Sequence, residues 1–235
     1  MTLFTGILIS VVSLAKFIRF LLVYYPIPRW SSFFGLILAS VFIVAKDIDR
    51  WTLPFIVALS IGCLFAWWVT QLAPTSLDKT AATIFLSGLL AICAMVLPGI
   101  SGSFILVILG SYAWILEAIK SLEFATLSLF CAGCLVGLLS IANVLSWAFD
   151  KYKALTLSVL IGFMLGALPK IWPWKQVLSV RENSKGELVP LTEAPILPST
   201  YELISGSDPQ IFMALTCAFL SMVVVCVLSS FAKKG

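Results

Sequence analysis

The feature that most constrains this chain is an uncharged run of 37 residues, from Thr80 to Leu116, interrupted by the block Pro98-Gly99-Ile100-Ser101-Gly102-Ser103. As one helix the run would be about 55 Å long, whereas the hydrocarbon core of a membrane is about 30 Å thick. The run must therefore fold back on itself. Proline removes a backbone donor and glycine permits unusual backbone angles, so the turn is expected at this block.

The uncharged run therefore predicts a helical hairpin, either re-entrant or crossing the membrane twice, within residues 80–119. Its arms are expected at residues 80–97 and 103–119. In lipid, such a broken backbone is tolerated only where protein buries it or where it lines a wet cavity. The hairpin tip is therefore a candidate site.

The composition is that of a membrane protein. It is 61% hydrophobic and 11% charged, with a mean hydropathy of +1.09, which excludes a soluble domain and indicates an all-α polytopic membrane protein. The net charge of +4 is modest and predicts no nucleic-acid partner. Beside the hairpin, apolar spans are predicted at residues 3–25, 30–45, 54–72, 124–149, 155–171 and 211–232. Residues 175–208 are predicted to form an extramembrane loop, which the distribution of Lys and Arg places outside the cell.

The absence of histidine limits the chemistry available to the chain. It excludes Ser–His–Asp and Cys–His catalysis and histidine-ligated metals, and we expect neither a metal nor another cofactor. Cys131 and Cys134 have CxxC spacing, which is either a redox or metal motif or a pair of small residues in a membrane helix. Glu117 is the nearest carboxylate for a proton relay.

The hairpin block also permits an enzymatic interpretation. Gly99-Ile100-Ser101-Gly102 has the Gly-x-Ser-Gly pattern found around the nucleophiles of intramembrane serine proteases. Without histidine, a Ser–Lys dyad would need Lys16 or Lys79 beside Ser101.

An internal repeat relates two parts of the chain. Residues 6–40 align without a gap over residues 133–167, with eight identities in 35 positions, among them Tyr25/Tyr152, Ser31/Ser158 and Gly35/Gly162. An odd number of crossings separates the copies, so they are expected to be inverted, as in secondary transporters. We expect one membrane domain over residues 1–235, with 1–72 as the remainder of the first repeat and 80–232 as the second. The hairpin of the first repeat would precede Met1 or has been lost.

The tip offers the groups that bind an anion. Gly99, Ser101, Gly102 and Ser103 bring backbone N–H groups and hydroxyls to the start of the second arm. Lys16 and Arg19 share roughly one helix face, and they either reach the membrane surface or face inward and supply positive charge. Asn143 occupies the position of Lys16 in the second repeat. Because no carboxylate lies deep in a span, the site favours an anion or a phosphorylated lipid over a cation.

Several blocks resemble one bacterial family. Residues 94–104, followed by Leu109-Gly110-Ser111-Tyr112, resemble the second signature of the polyprenyl-phosphate transporters, formerly domain of unknown function 368. Residues 162–168 with Ile171-Trp172-Pro173-Trp174 resemble its later block, and residues 15–26 and 33–37 resemble the block between the two signatures. The earlier Pro-Gly-Val-Ser-Gly-Gly-Thr signature is not present, so the chain is expected to be an N-terminally incomplete member.

The resemblance implies a function and a site. It implies a multi-pass carrier in the bacterial cytoplasmic membrane that translocates undecaprenyl phosphate for envelope polymer synthesis. It also implies that Pro98, Gly99, Ser101, Gly102 and Ser103 contact the lipid phosphate. A homodimer would supply two hairpins. The alternatives are an intramembrane lipid-phosphate enzyme and a non-transporting partner subunit.

Overall fold

The computed structural model describes residues 26–72, 74, 75, 77–182 and 188–232, and it is built mainly from helices. The helices are α1 (Pro26–Ala45), α2 (Leu53–Gln71), α3 (Ala81–Val96), α4 (Gly102–Ile108), α5 (Tyr112–Ser121), α6 (Phe124–Ala167), α7 (Pro198–Ser205) and α8 (Ile211–Ala232). A 3₁₀ turn, Leu168–Ile171, follows α6. Four of the described helices, α1, α2, α6 and α8, are long and apolar enough to cross a membrane. The chain is therefore an all-α polytopic membrane protein, as predicted.

The predicted spans correspond closely to these helices, although the span at residues 3–25 lies outside the described residues. Helix α6 covers two predicted spans, and its backbone is broken between them at Tyr152, where φ is −138° and ψ is 45°. The break falls in the charged stretch Asp150-Lys151-Tyr152-Lys153. The two predicted spans are thus the first segment of α6, residues 124–151, and its second segment, residues 153–167.

The second arm of the hairpin differs from its prediction. Instead of one helix over residues 103–119, α4 and α5 are separate and are bent by 108° at the break between them. Gly110 has φ +68°, and the N–H groups of Gly110 and Ser111 donate to the carbonyls of Val107 and Leu106. This pair of bonds is a Schellman motif, which ends a helix at a left-handed glycine. The prediction of a continuous arm was wrong because it overlooked this stop signal.

The predicted loop at residues 175–208 contains regular structure. Strands β1 (Lys175–Glu182) and β2 (Leu188–Pro195) pair in a two-stranded sheet, and α7 follows. Pro198 lies in the first turn of α7, where a missing N–H has no cost, and Gly206 ends the helix with φ +64°.

Backbone contacts divide the chain into two compact units. Among the described residues, the first unit takes in residues 26–40, 170–179 and 193–232, and the second takes in residues 41–169 and 180–192. The predicted single membrane domain is not tested by this division and stays a prediction.

In the second unit, glycines set the helix packing. Helix α3 packs on the first segment of α6 and α2 packs on the second segment. A Cβ at any glycine of these interfaces would meet a backbone atom of the facing helix too closely; the glycines are Gly62, Gly88, Gly133, Gly137, Gly162 and Gly166. The thiol of Cys134 donates to the Gly88 carbonyl at 3.4 Å across one interface. Because Cys134 belongs to this packing, the small-residue interpretation of the CxxC pair fits the structure.

The two repeat copies have the same local structure where both are described. The hydroxyl of Ser31 donates to the Ile27 carbonyl and that of Ser158 donates to the Ala154 carbonyl, each at 2.8 Å and 127 positions apart. Both hydroxyls are buried. Gly35 lies against the backbone of α8 in the first unit, as its counterpart Gly162 lies against α2 in the second. The opposite orientation of the copies stays a prediction.

Gly133→Val should destabilise the chain, because its Cβ would meet the carbonyl oxygen of Phe85. Overpacking of this kind costs about 1–3 kcal/mol. The neighbouring Ala132 is exposed, so Ala132→Val introduces the same side chain without the clash. Thermal unfolding in detergent, followed by tryptophan fluorescence, should show a lower melting temperature for Gly133→Val alone. Equal melting temperatures would contradict the packing described here.

Candidate functional site

The hairpin tip, residues 97–103, joins α3 to α4 in the second unit. Helix α4 folds back on α3, so that a Cβ on Gly102 would lie 2.6 Å from the carbonyl oxygen of Ala91. From their lengths, α3 rises roughly 24 Å and α4 roughly 10 Å, both less than the membrane core of about 30 Å. These lengths favour the re-entrant form of the hairpin over two full crossings.

Gly99 holds the tip against the second segment of α6. Its φ of +94° is a conformation that residues with a side chain rarely adopt. A Cβ at this position would lie 2.9 Å from the carbonyl oxygen of Phe163 and 3.0 Å from the Cβ of Ala167. Pro98, next to it, is half-buried. The broken backbone is thus covered by protein on one side, as a membrane interior requires.

The hydroxyls of Ser101 and Ser103 come together on the outer side of the tip. Their oxygens lie 2.8 Å apart and both residues are exposed. Gly102 and Ser103 begin α4, where the N–H groups of a first turn have no intrahelical acceptor. The tip therefore presents hydroxyl and N–H donors within a few ångströms, and such a set can hold the oxygens of an anion. Since α4 has only seven residues, these donors matter more than a helix dipole.

The other predicted site residues are not joined to the tip. Lys16 and Arg19 lie outside the described residues. Asn143 is exposed on the first segment of α6, before the break at Tyr152, whereas the tip contacts the segment after the break. A place for these three residues at the site stays a prediction.

Lys79 forms an ion pair with Glu123. Its ammonium lies 2.8 Å from the Glu123 carboxylate, and hydrogen bonds from Lys79 and Thr126 lower the pKa of Glu123. The pair sits at the start of α6, so the structure does not form a Ser–Lys dyad between Lys79 and Ser101. Glu117 is exposed on α5. Among the described residues, no group of three or more cysteines and carboxylates could hold a metal ion.

The sequence analysis missed a set of charged side chains that lie around a tryptophan. In the first unit, the ammonium of Lys175 lies 3.4 Å from the ring centroid of Trp30 and 3.2 Å from the carboxylate of Glu193. The guanidinium carbon of Arg29 lies 4.9 Å from the same ring centroid. Trp30 is not among the residues that the sequence analysis named for the site. Lys175 and Glu193 follow Trp30 by 145 and 163 positions, and no local pattern in the sequence predicts that they come together.

Comparisons with known proteins agree on one family. A family model described as "VCA0040-like: Undecaprenyl phosphate translocase-like" matches residues 1–189. A polyprenyl-phosphate transporter of Vibrio cholerae is 46% identical over 233 residues, which is 99% of this chain and 76% of that protein. A polyprenyl-phosphate transporter of Staphylococcus aureus is 29% identical over 186 residues, covering 72% of this chain and 66% of that protein. No solved structure matches the chain. From the extent of the family match and the Vibrio similarity, the chain belongs to the VCA0040-like, undecaprenyl phosphate translocase-like family.

Proposed function

We propose that this chain translocates a polyprenyl phosphate, undecaprenyl phosphate in the first instance, across the bacterial cytoplasmic membrane. Family membership and the names of its two relatives support a transporter. The observation that carries the proposal is the hairpin tip, where an uncharged, interrupted segment turns inside a membrane protein and presents two exposed hydroxyls 2.8 Å apart.

The chemistry of the tip suits a lipid phosphate. Ser101 and Ser103 donate through hydroxyls, and the first-turn N–H groups of Gly102 and Ser103 add further donors. These groups are neutral, and no charged residue occurs between Thr80 and Leu116. Neutral donors hold a phosphate without the cost of a fixed charge in the membrane, and they release it more readily than a buried cation would. A carrier needs both properties.

A transporter accounts for these observations better than an enzyme. The relatives are named as transporters, and hydrolysis of a lipid phosphate needs a nucleophile with its base or a metal centre. In the described part of the chain, Lys79 is paired with Glu123 and no residue group suits a metal. The homodimer that would supply a second hairpin stays a prediction, which native mass spectrometry of the purified chain tests.

The double variant Ser101→Ala, Ser103→Ala should lose transport about tenfold or more, because a hydrogen bond to a charged group contributes roughly 1.5–3 kcal/mol. Transport is measured in proteoliposomes with a fluorescent polyprenyl phosphate and a membrane-impermeant quencher. Ser60→Ala is the matched control, since the Ser60 hydroxyl is exposed on α2 and bonds only its own helix at the Ile56 carbonyl. Full transport by the double variant would show that the two hydroxyls of the tip are not needed for transport.

Gly99→Ala should destabilise the chain by more than backbone strain alone. A left-handed alanine costs about 1–2 kcal/mol, and here the new Cβ would also meet Phe163 and Ala167. Gly206→Ala is the control, because Gly206 has φ +64° with nothing within 4 Å of an added Cβ. Chemical or thermal unfolding of both variants should therefore separate strain from contact. If Gly99→Ala and Gly206→Ala lower the free energy of unfolding by the same amount, the close contact between the tip and α6 is refuted.

A further inference from the structure

Three aromatic rings in the second unit lie in a row beside the hairpin tip. The ring centroids of Phe65 on α2 and Phe163 on α6 are 5.8 Å apart, and those of Phe65 and Trp68 are 6.3 Å apart. Phe163 is half-buried, whereas Phe65 is 48% exposed and Trp68 is 55% exposed. We name Phe65, Trp68 and Phe163 the aromatic ridge.

Phe163 joins the aromatic ridge to the tip. A Cβ on Gly99 would lie 2.9 Å from the carbonyl oxygen of Phe163, and the ring of the same residue packs on Phe65. Ser101 follows Gly99 by two positions, and two residues span at most about 7 Å. The backbone of Ser101 therefore lies within about 7 Å of the residue that contacts Phe163.

The tip and the aromatic ridge lie at the same level of the helix bundle. A Cβ on Gly166 would meet the carbonyl of Cys63 on α2, and Gly99 of the tip meets the next residue of α6, Ala167. The tip is therefore level with residues 63–66 of α2, the turn that carries the first ring of the ridge. Helix α2 has 19 residues, and this turn lies just past its middle.

The chemistry of the aromatic ridge suits a hydrocarbon chain rather than a head group. Helix α2 contains no charged residue, and neither does the run from Thr80 to Leu116. The face of an aromatic ring carries a partial negative charge, which attracts C–H groups and repels anions. An isoprene unit presents methyl and vinyl C–H groups to such a face. A phosphate gains nothing there, so the ridge complements the hydroxyls of the tip.

We propose that the aromatic ridge binds the first isoprene units of the polyprenyl phosphate whose head group is held at the tip. The identity of the lipid rests on the proposed function. A phosphate at Ser101 and Ser103 brings the first carbons of its chain to the tip, because a single ester bond joins the two. The tip and the ridge are continuous through Phe163, and both belong to the second unit.

The double variant Phe65→Ala, Trp68→Ala should weaken binding of undecaprenyl phosphate and of undecaprenol by the same factor, about tenfold. The two losses are equal because the ridge contacts only the chain, and their size follows from the apolar area that two rings cover. Dissociation constants are measured by native mass spectrometry of the full chain in mild detergent. Undecaprenyl phosphate, undecaprenol and phosphatidylglycerol are used as separate probes.

The double variant Trp51→Ala, Phe124→Ala is the matched control. It removes the same two kinds of ring, and both residues are exposed in the second unit. Trp51 precedes α2, and Phe124 begins the first segment of α6, whereas the tip contacts the second segment. The control should leave all three dissociation constants unchanged.

Three results would overturn the proposal. Unchanged dissociation constants in the ridge variant would show that the rings do not contact the lipid, and an equal loss for phosphatidylglycerol would show a general lipid-facing surface. A loss for undecaprenyl phosphate without one for undecaprenol would show that the rings act on the head group. If the alanine variant does not fold, Phe65→Leu with Trp68→Leu replaces it, since leucine keeps apolar volume without a ring face, and the same pattern with a smaller loss is expected.

The double serine variant of the tip separates this proposal from the proposed function. If both hold, that variant weakens binding of undecaprenyl phosphate and leaves undecaprenol unchanged, whereas the ridge variant weakens both. If the ridge variant binds both lipids normally while the serine variant loses transport, the aromatic ridge fails and the proposed function stands. If the ridge variant weakens both lipids but the unaltered chain moves no undecaprenyl phosphate in proteoliposomes, the proposed function fails and the aromatic ridge stands.

Discussion

Close backbone approach at glycine is the interaction on which the described helix pairs depend. Inside a membrane, helices gain little from burying apolar side chains against each other, because lipid is equally apolar. Attraction then comes from van der Waals contact and from weak polar contacts such as the Cys134 thiol with the Gly88 carbonyl. Gly35, Gly133 and Gly162 let carbonyl-bearing backbone approach so closely that a single Cβ would not fit. The larger side chains are left to face lipid.

This packing also explains why the hairpin can turn within the membrane. A broken helix exposes N–H and carbonyl groups that lipid cannot satisfy. Here α6 covers the tip where Gly99 meets Phe163 and Ala167, and the Schellman bonds at Gly110 satisfy the end of α4. The exposed hydroxyls of Ser101 and Ser103 remain at the tip, beside the first-turn N–H groups of α4. The tip is thus packed against α6 and still presents donors at its exposed residues.

The sequence alone was sufficient to predict the features that depend on local composition. The spans after residue 25, the hairpin turn and the break near Tyr152 follow from runs of apolar residues interrupted by proline, glycine or charge, and the structure agrees with them. The break at Gly110 also has a local cause, a glycine that follows a helical turn. The sequence analysis did not use this signal, because the residues around it are all apolar. The contacts of Lys175 with Trp30 and Glu193 could not be predicted, because these residues meet through packing between distant segments.

The hairpin tip offers a phosphate neutral donors, and the interior of a membrane favours this choice. A cation at the bilayer centre costs about 2.5–3.5 kcal/mol or more, so capture by fixed charge belongs at the surface. Lys175 and Arg29 lie beside tryptophan, the residue of the membrane boundary, whereas no charge occurs between Thr80 and Leu116. Neutral donors bind a phosphate more weakly than cations do, and weak binding favours release. A carrier that holds its lipid phosphate through hydroxyls can therefore release the lipid without trapping it.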